Sequence, residues 1–310
     1  MLPLLLVLIF APGCTGREDA PERPARLPDA RTEVAGTAWG EDVVVAGGYL
    51  RDGTSSRRVD IWTGARLPDA HPRNVWEALP DLPEPRNHAS LAVARDRLWV
   101  VGGNAPDRAT GAVWSLGRAE TSWRREPGLA QPRAAAGLLA LGDRLVAFGG
   151  AEQGRALRST EILDPGARAW RAGPDLAVAR EHLAAAAYDG RAYAIAGRVG
   201  GLAGNLRVVE SFGIADGRWR REPDLVHSRG GTSAASTPGG PCVAGGEEPD
   251  GTIGSVECLR AGVWRVAAQL PEARHGLAVV AVRTTLHVIA GGPRPGLYVS
   301  DRHDLVSVSP

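Results

Sequence analysis

The 310-residue chain contains no lysine: all 36 of its Lys and Arg positions are arginine. GC-rich coding accounts for this, so arginine abundance by itself does not signal anion binding. Against these stand 35 Asp and Glu, a formal net charge of +1. A general nucleic-acid binder needs a strongly basic balance to gain from counterion release, and that class is excluded. The chain also lacks a hydrophobic run long enough to span a bilayer: residues 2–10 are apolar, against the roughly 20 that a helix needs. Absent too are HExxH or clustered Cys/His spacing, GxSxG, a P-loop and a dinucleotide fingerprint with its helix. No catalytic constellation is visible, and neither a metal nor a cofactor is expected.

What is present is repetition. Residues 86–103, RNHASLAVARDRLWVVGG, contain an arginine, two apolar runs separated by a polar turn, and a glycine pair. Counting back from the second glycine, an arginine stands 17 residues earlier in Arg31/Gly48, Arg86/Gly103, Arg133/Gly150, Arg180/Gly197 and Arg229/Gly246, and 18 earlier in Arg274/Gly292. Five of these arginines have a tryptophan ten residues before them: Trp76, Trp123, Trp170, Trp219 and Trp264. The run after each arginine, a turn such as Gly142-Asp143 or Asp189-Gly190, and a second run such as LWVV or LVAF form a hairpin. The second runs are too short for helices and too uniformly apolar for surface strands. A third run follows a polar loop and a fourth begins at the tryptophan. Four antiparallel strands per unit, repeated six times, predict an all-β six-bladed propeller.

The glycine pair closing the second strand and the tryptophan in the fourth resemble kelch repeats, from about Arg31 to the C-terminus. The resemblance implies a kelch-type β-propeller of four-stranded antiparallel blades. The fourth copy departs from the pattern, with Ala196-Gly197 in place of the pair, and the first carries extra residues, TGARLPDAHPRN, before Trp76. No tryptophan follows Gly292, so the last blade takes its outer strand either from LVSVSP near the end or from the segment before Arg31.

The N-terminus reads as an export signal. The apolar stretch is followed by Ala11-Pro12-Gly13-Cys14, which resembles a bacterial lipobox whose cysteine is acylated, although the n-region has no basic residue. The expected division is a signal peptide over residues 1–13, a charged, proline-rich tether over 14–28 and the propeller over 29–310. A lipid-anchored monomer on the bacterial envelope, or an extracellular one, follows.

In a propeller the first strand lies nearest the axis. Arg31, Arg86, Arg133, Arg180, Arg229 and Arg274 are therefore expected to crown one mouth of the channel, with His88 and His182 beside them. Like charges that close need compensation. Two sources stand side by side. One is local: Asp81, Asp175 and Asp224 lie five residues before their arginines, and Glu84 and Glu272 two before theirs. The other is an anionic ligand held by guanidinium forks, at the face that binds partners in kelch propellers generally. The loops after the second strands add Arg51, Arg108, Arg155, Arg198 and Arg294.

Cys242 and Cys258 lie symmetrically about the loop EEPDGTIG, and a symmetric hairpin would set them opposite each other as a disulfide; a register one residue away would instead leave two buried free thiols on opposite faces of the sheet. Some kelch-containing oxidases use copper with a tyrosyl radical, but the four tyrosines here sit in repeat positions without a matching ligand set. Two functions remain. The first is a non-catalytic module binding a protein partner or acidic glycan. The second resembles the six-bladed kelch sialic-acid epimerases, with arginines holding the sugar carboxylate while Glu181, His182 or His88 moves a proton.

Overall fold

The alternation of short apolar runs with Gly- and Asp-containing turns folds as expected. The structure, a computed structural model, describes residues 24–63, 74–106 and 108–309. The signal peptide, Cys14 and most of the TGARLPDAHPRN insertion lie outside the described residues. Six antiparallel sheets follow one another around an axis. Their first strands, nearest the axis, are Ala35–Trp39, Ser90–Ala94, Gly137–Leu141, Ala184–Tyr188, Ser233–Thr237 and Ala278–Val282. Each pairs with a second strand buried along nearly its whole length, for example Asp42–Ala46 and Gly240–Ala244. The only helical pieces among the described residues are two 3-10 turns of three residues each.

The core lies between blades. The six apolar clusters each join residues of two neighbouring sheets, Val44 and Ala46 with Leu91 and Leu98 for instance, or Leu145 and Ala147 with Ala92 and Trp99. Trp123, Trp170 and Trp219 place their rings in these seams and donate their indole N–H to Pro80 O, Pro127 O and Pro174 O of the preceding unit, at 2.8 to 3.0 Å. The tryptophans are packing residues, as large amphipathic rings with one donor should be.

The glycine pairs are explained by the same closeness. The second glycine's N–H donates to the carbonyl of the next unit's arginine: Gly48 to Arg86, Gly103 to Arg133, Gly150 to Arg180, Gly197 to Arg229 and Gly246 to Arg274. A side chain on Gly102 would put Cβ 2.4 Å from Arg133 O, in a backbone already at φ 64°. In the last unit the donor is Gly291, which bonds Arg31 O across the closure, with Ala290 at the first position. The equivalent glycine is therefore Gly291 rather than Gly292, and the offset of 17 holds in all six units.

The last sheet has three strands among the described residues, ending with His303–Ser307. Its outer edge is taken by the segment before Arg31. Leu82, Leu129, Leu176, Leu225 and Leu270 each stand four residues before their arginine and donate a backbone N–H to their own blade. Leu27 does the same to Asp301 O at 2.8 Å, and Trp76 donates to Ala25 O at 2.9 Å. The N-terminal segment closes the ring, and the chain is packed into it from Ala25 onward. Cys242 and Cys258 are register partners with Cα atoms 4.1 Å apart and form the disulfide.

Candidate functional site

Each repeat arginine stands four residues before its first strand, and the chain between makes one left-handed step. The residue two after the arginine has φ near +50 to +65° in five of the units: Glu33, His88, Ala135, His182 and Gly231, with Gly276 completing the six at 58°. Their backbones form a ring around the axis. His88 N donates to Glu33 O, Ala135 N to His88 O, His182 N to Ala135 O, Gly231 N to His182 O and Gly276 N to Gly231 O, at 2.8 to 3.1 Å, and Val34 N to Gly276 O at 3.2 Å. Non-glycine residues at positive φ cost of order 1 kcal/mol each and cluster at functional sites. Here the turn aims Glu33, His88 and His182 at one another.

The six arginines do not join them. Arg31, Arg86, Arg133, Arg180, Arg229 and Arg274 are all within 1% of complete burial, turned away from the mouth into their own blades. Five meet a carboxylate on the third strand: Arg31 with Asp60, Arg133 with Glu161 (2.9 Å), Arg180 with Glu210 (3.1 Å), Arg229 with Glu257 (2.5 Å) and Arg274 with Asp304 (2.8 Å). The glutamates also accept backbone N–H groups of the segment leading to the arginine, such as Ala130 and Gln131 on Glu161. Burial lowers the guanidinium pKa values, that of Arg180 to about 10. The expected basic crown is therefore an internal ladder. Of the local acids, Asp175 and Asp224 pair instead with Arg158 and Arg207, while Glu84 and Glu272 approach Arg86 (3.1 Å) and Arg274 (3.9 Å). In the second blade Trp114 occupies the carboxylate position, and Arg86 is left with Glu84 on Nη2 while Nε and Nη1 have no hydrogen-bond partner.

The mouth itself is built from other groups. His88 Nε2 and His182 Nε2 are 2.9 Å apart and lie 3.2 and 3.9 Å from Glu33 Oε2. The second Glu33 oxygen faces His275 Nδ1 at 3.3 Å, which also lies 3.5 Å from Glu247 Oε2. Arg198 bridges Glu181 (2.9 Å) and Glu247 (2.7 Å), and Glu181 Oε2 contacts His182 Nδ1. Burial lowers both His88 and His182, and His182 is driven well below the ordinary value with His88 adding to the effect. Burial opposes the His275 cation as well, yet the Glu33 hydrogen bond and the Glu33 and Glu247 charges outweigh it and raise this pKa. Burial also works against the Glu33 anion, but the surrounding histidines, His88 first, hold its carboxyl below the usual range.

Beside this cluster the small residues Ala134 and Ala135 leave a cavity of about 380 Å³, lined by His88, His182, Asn104, Arg108, Ala151 and Gln153. Of the loop arginines, Arg198 is half-buried in its ion pairs, whereas Arg51, Arg108, Arg155 and Arg294 are exposed without an ion-pair partner among the described residues. Sequence reading reached His88, His182, Glu181 and Arg198. It missed Glu33 and Glu247, although Glu33 shares with both histidines the position two after its arginine.

Six blades closed by the N-terminal segment, with glycine pairs bonded to the next unit's arginine and tryptophans in the seams, define a kelch-type β-propeller. Residues 132–177 match the family model described as Kelch motif. Among solved structures it is similar to one described as the structure of YjhT, with a TM-score of 0.79 at 14% identity over 92% of this chain and 97% of the other. That likeness is one of fold. None of the curated proteins matches the chain in sequence.

Proposed function

We propose that the protein binds a small anionic ligand in the cavity at its loop-side mouth. The observation that carries this is the cavity over Ala135, of a size suited to a small molecule, lined by two imidazoles, Asn104, Gln153 and the exposed Arg108. The ring arginines take no part. The unpaired loop arginines supply the attraction for an anion, and Arg108 at the cavity edge suits a carboxylate or sulfate fork. The disulfide supports an exported location, and among the described residues no helix is long and apolar enough to cross a membrane. Calorimetric titration with a sugar acid, sialic acid first, tests the reading. Arg108→Ala is expected to weaken binding about tenfold without shifting the unfolding temperature, in keeping with the loss of one charge-assisted contact. Equal binding by Arg108→Ala and Arg86→Met would overturn the cavity assignment.

A second reading, proton transfer on the bound sugar acid, is favoured by His88 and His182, whose pKa values burial lowers. Mutarotation requires a base at the anomeric hydroxyl and an acid at the ring oxygen. Acceleration of sialic acid mutarotation, followed by NMR, is its readout.

A further inference from the structure

The geometry points to a divalent transition-metal site formed by Glu33, His88 and His182, a pair of imidazoles and a carboxylate drawn from three blades. The neighbouring acceptors decide where the ring protons sit. Asn87 donates its Nδ2 to Ser55 Oγ (2.7 Å), and its Oδ1 accepts from Asn104 Nδ2 (2.9 Å), so the amide is fixed with its oxygen toward His88 Nδ1 at 2.6 Å. His88 Nδ1 therefore carries the proton, and Nε2 presents a lone pair to the axis. Glu181 is held by Arg198 through Oε1 and touches His182 Nδ1 through Oε2. With that carboxylate oxygen against it, Nδ1 is the nitrogen of His182 placed to carry the ring proton. Each histidine thus has an acceptor directly preceding it in sequence, the outer arrangement that orients metal-ligating imidazoles.

The consequence is an unfavourable meeting. Two bare Nε2 lone pairs stand 2.9 Å apart, with the Glu33 carboxylate 3.2 and 3.9 Å away. With both ring protons on Nδ1, neither imidazole donates into the gap. Three electron-pair donors converging in this way need a cation between them, and donors at about 2.0–2.1 Å from one ion stand roughly 2.9–3.4 Å apart. The two closer separations fall in or beside that range, and the third corresponds to a wider angle at the ion. Two imidazoles and one carboxylate on one side of an ion leave its other positions open. The cavity over Ala135 is lined by two of the three donors, His88 and His182.

A second group of donors, Glu33, Glu247 and His275, does not share this property. His275 Nε2 donates to Arg294 O at 3.0 Å, and its Nδ1 faces two carboxylates, so it is a protonated imidazole whose charge satisfies them. It holds the second Glu33 oxygen and orients the first. Sequence spacing conceals the site because its ligands stand at residues 33, 88 and 182, with ring curvature rather than a helix bringing them together.

This inference goes beyond the ligand reading and stands without it; an ion on both Nε2 atoms leaves no free imidazole base, so it displaces the proton-transfer variant. The test is equilibrium binding of Zn²⁺ and Co²⁺ to chelator-treated full-length protein at neutral pH. One ion per chain is expected, with Co²⁺ giving the visible absorption of a low-symmetry nitrogen and oxygen site. His88→Asn/His182→Asn, chosen because asparagine tolerates the left-handed backbone, should weaken binding at least about 100-fold, and Asn87→Ala about 10-fold through the lost orientation. Saturable binding absent from the wild type below about 1 mM would overturn the site whatever the variants do, as would equal binding by a folded double variant. Anion titration of the metal-free protein separates failure here from failure of the cavity reading.

Discussion

At the scale of the residue, the six buried arginines show how one repeated side chain can be held for architecture rather than ligand. A guanidinium at full burial has lost its hydration, and only a carboxylate with the remaining donors satisfied restores the balance. Arg229 comes close to that state, its two Nη atoms bonded to Glu257, Ser255 and Gly245 O and only Nε left without a partner. Arg86 does not, because Trp114 stands where the acid should be, leaving Arg86 the half-exposed Glu84. Glu257→Ala is therefore expected to cost about 3–5 kcal/mol by stranding a buried charge, whereas Arg86→Met should cost under about 1 kcal/mol or stabilise the fold. Urea unfolding of the two variants decides; equal losses would mean that the acid is not what sets the arginine's energy. The repeat made the arginines legible, but not their direction. Their carboxylates lie 28 to 30 residues later on the third strand, beyond the reach of a local reading, and the nearby aspartates belong to other arginines.

At the scale of the element, strand pairing was the most legible feature because the hydrophobic period, turn residues and glycine pairs all repeat. The second strands are buried on both faces, as their uniform apolar character requires. Register followed as well: Cys242 opposes Cys258 because the loop between them is symmetric. That cross-link joins the second and third strands of the fifth blade, in the seam facing the sixth. For about 15 residues enclosed, the chain-entropy model gives roughly 3 kcal/mol. Cys242→Ala/Cys258→Ala should lower the unfolding free energy by about that amount with the blade register intact, and a loss below about 1 kcal/mol would show that the hairpin is closed without it. What element-level reading could not supply was the left-handed step after each arginine. Glycine announces it in Gly231 and Gly276, but Glu33, His88 and His182 adopt it against their preference, and that step creates the site.

At the scale of the whole molecule, a closed ring depends on its last seam. The segment before Arg31 completes the sixth blade, and Leu27 is buried against Val43, Val45 and Ile289. Sequence left the choice of terminus open because Pro21 occupies the place of the repeat tryptophan, ten residues before Arg31. The seam also holds the buried pair His287 Nδ1 and His303 Nε2, 2.9 Å apart, packed against Trp62 and Trp76. Burial lowers His287 to about 4, and burial together with His287 lowers His303 to about 3; Asp304 and Ala25 O oppose that shift and Arg274 adds to it. Both folded values lie below the unfolded value of about 6.5. The unfolded chain thus binds more protons between about pH 6.5 and 3, so the stability the pair contributes is complete above that window and is lost as pH falls through it. At pH 5 the loss is about 2 kcal/mol from His287 alone, with His303 titrating in concert. His287→Leu/His303→Leu should lessen the fall in unfolding free energy measured between pH 7 and 5, leaving the part that the buried His88 and His182 contribute. A variant that keeps the wild-type slope would place the acid sensitivity elsewhere in the ring, away from the seam where the two ends of the chain meet.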